Sequence, residues 1–167
     1  APRERAVAGG GRGPRDGARV TLGAAARAKV VASRARIDRA VRDGEVVYGV
    51  STGFGELKDR RISPDQVREL QVNLLRSHAA GVGPPAPRDV VRAMLLLRAA
   101  SLARGASGVR PEVIDALLAL LERDLTPLVP VQGSVGASGD LAPLAHLGGV
   151  LMGEGEAWLG AQQMPAS

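Results

Sequence analysis

Residues 133–140 read Gly133-Ser134-Val135-Gly136-Ala137-Ser138-Gly139-Asp140. Glycine at every third position opens backbone angles that other residues rarely reach. No regular helix or strand runs through such a stretch, yet helical periodicity flanks it on both sides. The fold must therefore hold an irregular segment between packed helices. Taken alone, the composition is also that of a plain flexible connector. Standard glycine motifs do not fit it. Asp140 stands where a nucleophile elbow needs its last glycine. The Lys-Ser/Thr pair of a P-loop is missing, as are the spacing and leading strand of a dinucleotide fingerprint.

The rest of the chain reads as mainly α. Leu22, Ala26, Val30, Ile37 and Val41 recur at helical spacing from Thr21 onward, with Gly44 as a stop. Val46 and Val47 suggest a short extended piece leading into Tyr48. A second helix starts with Ser63 as N-cap, Pro64 at the first helical position and Gln66 closing a capping box. Its apolar stripe is Val67, Leu70, Leu74 and Leu75, and Gly81, Gly83, Pro84 and Pro85 end it. A third helix is expected over 88–104, with Val91, Met94, Leu95 and Leu102 inward. A fourth begins at Pro111 and buries Val113, Ile114, Leu117, Leu118 and Leu121. Residues 125–140 read as loop. A last apolar helix over 141–152 follows, capped by Asp140 and stopped by Gly153. Residues 1–18, rich in Gly, Arg and Pro, read as a flexible tail, and 19–167 as the folded portion. The tail of the sequence, from Gly153 on, shows no closing element. Runs such as MLLLRAA and ALLALLE are apolar on more than one side, as in helices enclosed by something larger.

Composition removes several classes of function. There is no cysteine, so disulfide scaffolds, thiolate metal sites and cysteine nucleophiles are out. His78 and His146 are the only histidines, too few for a histidine metal cage, and no metal site is expected. Phe54, Tyr48 and Trp158 are the only aromatic residues, which argues against base stacking on single-stranded nucleic acid. The net charge of +5 sits in the first 50 residues, where 11 basic side chains meet 5 acidic ones; 11 basic and 12 acidic follow. No basic face recurs along the helices, so a nucleic-acid partner is not expected. The longest uncharged apolar stretch, 141–152, is short of the ~20 residues of a membrane helix. With no export signal read at the charged start, the expectation is a cytoplasmic protein without a membrane partner.

Ala137-Ser138-Gly139 has a specific chemistry open to it. In a tight bend the Gly139 nitrogen can attack the Ala137 carbonyl carbon. Glycine has no Cβ to obstruct the attack, and alanine is small. Enforced proximity contributes up to roughly 7–11 kcal/mol to such a closure. Dehydration of the ring and of Ser138 leaves a methylidene group. This is an electrophile, which natural side chains lack.

These residues, within GSVGASGDLAPLAH, resemble the cofactor-forming segment of the aromatic amino acid ammonia-lyases. Tyr48-Gly49-Val50-Ser51-Thr52-Gly53-Phe54-Gly55 resembles a second signature of that family. Arg76-Ser77-His78-Ala79-Ala80-Gly81 resembles a third, in its histidine-type form. The three stand in family order from about residue 19 to the end.

The resemblance implies the helical ammonia-lyase fold, with short extended segments near Tyr48. It also implies a 4-methylideneimidazol-5-one formed from Ala137, Ser138 and Gly139, without metal or nucleotide. The substrate would be a small aromatic amino acid. For L-histidine, loss of a β-proton and of ammonia would give trans-urocanate. Tyr48 matches the family's base; a free phenol titrates near 10, so this role calls for nearby cations or helix N-termini. His78 matches the selectivity position, where a neutral imidazole can hydrogen-bond the substrate ring. Gly53 and Gly55 would let their loop approach substrate, and Phe54 would pack. Asp140 reads as a cap that shapes the loop, with a supporting part in ring formation. His146 reads as structural.

The resemblance also implies a homotetramer of a much longer enzyme. Its carboxylate-binding arginine and second catalytic tyrosine would lie beyond residue 167, so this N-terminal portion would be inactive alone. Ser51 departs from the asparagine that many relatives carry. Three alternatives stand beside this reading: a tyrosine or phenylalanine lyase or aminomutase of the same family, a non-catalytic helical module that keeps the signatures, and a serine hydrolase using Ser138. The last is disfavoured because Ser138, Asp140 and His146 do not form a triad.

Overall fold

The computed structural model describes residues 7–9, 19–52, 64–134 and 141–167. Among these, five helices dominate: α1 (Ala24–Arg42), α2 (Pro64–His78), α3 (Arg88–Leu102), α4 (Pro111–Glu122) and α5 (Leu141–Leu151). The mainly α expectation holds. Helix limits fall close to those read from the sequence. Pro64 does open α2. Gly44, with φ of 70°, ends α1, where the Glu45 amide bonds back to the Ala40 carbonyl.

The core forms between α3 and α4 because each carries one apolar stripe. On α4, Ile114, Leu117, Leu118 and Leu121 recur at the i, i+3, i+4, i+7 spacing that lines one face. On α3, Val91, Leu95, Ala99 and Leu102 do the same. Leu95 and Ile114 are wholly excluded from solvent. Full burial of such a side chain stabilises by about 1.5–3 kcal/mol. Val30 of α1, Leu147 of α5 and Val129 complete the cluster. Met94 and Val113, expected inside, are only partly buried. The apolar residues on the other side of α3 stay exposed, Leu97 at 69% and Val90 at 47%.

The strands depart from the sequence reading. Within 125–140, the described residues hold two: β4 (Leu125–Pro127) and β5 (Pro130–Gln132). Tyr48 itself lies in a turn over 48–51, with a single bridge residue after it at Thr52. Thr21 and Leu22, expected at the start of a helix, belong instead to a strand, Val20–Leu22, antiparallel to Val7–Gly9. Val82–Pro85, expected only to stop a helix, pairs antiparallel with β5 across a register shift. The end of the chain closes as a hairpin, Glu156–Leu159 with Gln162–Pro165, and its first strand adds to β4. Its two-residue connection has positive φ at Gly160 alone, the type II′ pattern that joins twisted strands. These strands are three or four residues long, too short for a period-2 signal.

An arginine pair ties this edge to the core. Arg92 and Arg88 reach the Asp124 carboxylate at 2.9 and 3.3 Å, and Arg88 also donates to the Gly160 carbonyl. Asp124 itself has a φ of 53°, an unfavourable angle for a residue with a Cβ.

Replacing Leu95 by alanine empties the centre of this cluster. The expected loss is about 2–5 kcal/mol of unfolding free energy, read from urea denaturation.

Candidate active site

Tyr48 sits in a turn built by its neighbours. The Ser51 hydroxyl accepts from the Val47 amide at 2.9 Å and donates to the Glu45 carbonyl at 2.7 Å. The buried Thr52 hydroxyl accepts from the Gly49 amide at 3.3 Å. Gly49, with φ of 72°, takes the position in the turn that a side chain would strain. Local bonds thus shape the segment and leave the Tyr48 side chain largely exposed, at 63%.

The turn is docked on α2. Gln71 donates its side-chain amide to the Gly49 carbonyl at 3.4 Å. Gln71 and His78 are seven residues apart on one helix, hence on one face and roughly 10 Å apart along the axis. The Tyr48 turn and His78 therefore lie along the same side of α2.

His78 is the last residue of α2. Its Nδ1 lies 2.8 Å from the Leu74 carbonyl, and the Ser77 hydroxyl is 3.1 Å from the same nitrogen. A carbonyl can only accept, so Nδ1 carries the proton. In the neutral ring Nε2 then keeps its lone pair and is an acceptor.

α2 packs on α5 through small residues. A Cβ on Gly148 would come within 3.0 Å of Leu75. Ala142 and Ala145 are buried on the same helix. Arg76 grips Glu154 just past α5 with paired contacts at 2.5 and 3.2 Å. That hydrogen bond holds the Glu154 carboxyl below its ordinary range and raises the Arg76 guanidinium.

Beyond His78 the chain runs into a crowded node. The Gly81 amide donates to His146 Nε2 on α5 at 3.1 Å. A Cβ on Gly133 would lie 3.0 Å from Gly81 Cα and 3.1 Å from the Ala142 Cβ. Gly133 and Ala142 flank the segment that carries Ala137, Ser138 and Gly139. The two ends of that segment therefore meet beside Gly81. Ala137, Ser138, Gly139 and Asp140 lie outside the described residues, as do Gly53, Phe54 and Gly55.

The model of the aromatic amino acid lyase family matches residues 7–167. The chain belongs to that family. A histidine ammonia-lyase from Geobacillus thermodenitrificans is 58% identical over 134 residues, covering 80% of this chain and 27% of the relative. The structure of histidine ammonia-lyase from Trypanosoma cruzi superposes with a TM-score of 0.78 at 38% identity, over 87% of this chain and 28% of that one. Tyrosine aminomutase from Streptomyces globisporus gives 0.79 at 36%, over 87% and 27%. The chain thus spans less than a third of the length of these relatives. Among the described residues, no helix is long and apolar enough to cross a membrane.

Sequence reasoning singled out Tyr48 and His78 but not the pieces that relate them. Gln71 gives no signal of its own. The paired Gly148-Gly149 inside an apolar helix is a legible sign of close helix approach. For His146, a polar ring in an apolar helix already asks for a partner.

Burial pushes the His146 imidazole below its ordinary value of 6.5. The unfolded chain then takes up this proton before the folded one. The stability supplied by the neutral ring is complete above about pH 6.5 and drains away as pH falls through the folded-state value. Urea midpoints taken near pH 7.5 and again near pH 5.5 should therefore fall further in the wild type than in His146→Gln.

Proposed function

We propose that this chain carries the electrophile-forming, base and selectivity residues of a carbon–nitrogen lyase that converts L-histidine to trans-urocanate and ammonia. The reading is supported most by the node at Gly81, three residues past His78, which meets Gly133 before the Ala137-Ser138-Gly139 segment and His146 of α5 after it.

The tripeptide suits a 4-methylideneimidazol-5-one, and the meeting of Gly133 with Ala142 is the fit test on the described residues. Gly133 and Ala142, the described residues nearest to either side of the tripeptide, stand against each other. In ring closure the Gly139 nitrogen bonds to the Ala137 carbonyl carbon. The carbonyl oxygen departs as water with the amide protons of Gly139 and Ser138, leaving a carbon–nitrogen double bond. The Ser138 hydroxyl then departs as a second water with the Ser138 α-proton. No oxidant is consumed. Once formed, the group supplies an electrophile that makes the substrate's ammonia a workable leaving group.

The other residues have complementary tasks. Tyr48, exposed on its turn, is the base for the β-proton. Ordinary phenols are too weakly acidic for this, so the complete site must supply positive charge near its oxygen. His78, with Nδ1–H committed to Leu74, offers Nε2 as an acceptor for the N–H of a substrate imidazole. Gly55 and its neighbours form the approach to substrate, and Asp140 shapes the start of α5. The family resemblance adds a cytoplasmic homotetramer in which further residues complete the site, so the 167-residue chain alone turns over no substrate.

A tyrosine- or phenylalanine-directed lyase or aminomutase is the second reading, favoured by the near-equal superposition on tyrosine aminomutase. A phenyl ring has no N–H or O–H to give to a lone-pair acceptor, whereas an imidazole has an N–H. His78→Leu should therefore raise KM for L-histidine more than for L-phenylalanine.

Ser138→Ala tests the central chemistry. By intact-mass spectrometry the wild-type full-length polypeptide should weigh two waters less than encoded. The variant, with no hydroxyl to eliminate, should fall short of this mass loss by at least one water and should lack the near-ultraviolet band and deamination of L-histidine. A fully active Ser138→Ala protein overturns the proposal.

A further inference from the structure

His146 lies in a helix whose other inward residues are apolar: Ala142, Ala145, Leu147 and Val150. Its ring is partly buried, and Nε2 accepts the Gly81 amide at 3.1 Å. A nitrogen that accepts from an N–H must hold its lone pair, so the proton of the neutral ring is on Nδ1. The residue opposite is fitted to this ring. A Cβ on Gly81 would lie 2.8 Å from Nε2 and 3.3 Å from the Pro130 Cβ. Gly81 does not adopt a left-handed φ, so space alone calls for glycine.

The contact stands at a junction. Gly81 follows His78 by three residues, and the close approach of Gly133 presses on its other side, against Ala142. Without the imidazole acceptor, the Gly81 amide loses its partner in a partly buried place.

We propose that His146 is a positioning residue: as a neutral acceptor it fixes the Gly81 peptide, and so holds His78 in constant relation to Gly133 and Ala142, between which the chain carries Ala137, Ser138 and Gly139. This role rests on the proposed function and goes beyond packing. A passive filler would be replaced by any side chain of like volume; an acceptor is replaced only by another acceptor. Leucine fills the space without a lone pair. Glutamine returns an amide oxygen at about the reach of Nε2.

The test compares wild type, His146→Leu and His146→Gln in the full-length polypeptide. Nitrogen-15 NMR of the wild type should show an unprotonated Nε2 and a protonated Nδ1 at neutral pH. His146→Leu should slow the loss of two waters, followed by intact mass, by roughly 10- to 100-fold, the penalty typical of misplaced reacting groups. It should also raise KM for L-histidine, while His146→Gln restores most of both. A protonated Nε2 overturns the proposal, as does His146→Leu behaving like wild type, or His146→Gln failing as badly as a folded His146→Leu. Should His146→Leu not fold, Gly81→Ala carries the comparison by driving a methyl at the same nitrogen. Slowed water loss supports the role, and an unchanged rate overturns it. Wild-type protein that neither loses water nor deaminates histidine overturns the functional reading and this role together. Wild-type protein that does both while His146→Leu matches it overturns this role alone.

Discussion

At the junction of α2, β5 and α5 there is no room for a methyl group. Gly81 lies between an imidazole on one side and the backbone of Gly133 on the other, and Gly133 in turn lies against Ala142. Steric exclusion of this kind is unforgiving, because closely packed interiors yield little to an added carbon. The parts of the candidate site are related through it. The turn bearing Tyr48 hangs on α2 through Gln71, His78 ends that helix, and Gly133 and Ala142, which stand before and after the proposed reactive tripeptide in the chain, meet there.

The large core does different work. Leu95, Ile114 and their neighbours give α3 and α4 a firm mutual seat, but they hold none of the proposed chemical groups. Stability and the proposed chemistry are separated in the chain: apolar stripes make the scaffold, and helix ends and the glycine-rich joints beside them carry the candidate side chains. Such joints are where a rigid frame displays reactive residues.

How far the sequence disclosed this arrangement follows from the same separation. Helices of 11 to 19 residues repeat their pattern several times, and their extents and inward residues were readable from it. Val91, Leu95, Ile114, Leu117 and Val30 fall where helical spacing puts them. Strands of three or four residues hold barely one repeat of a two-residue period. Pro127, Pro130, Pro84 and Pro85 further disguised theirs as loop. Tyr48 and His78 were visible through family signatures. The Gly81–His146 contact joins residues 65 apart in sequence, and no local pattern records such a distance.

The abutment of Gly133 and Ala142 also bears on how this region can change. A segment whose two anchors touch is a handle on a fixed base. Its length can vary at little entropic cost, because closure cost grows only logarithmically with residue number. Replacement segments of different size or sequence can be spliced between the same anchors while the helices beneath keep their places. The scaffold is thereby open to transplantation at the spot where the proposed chemistry would originate.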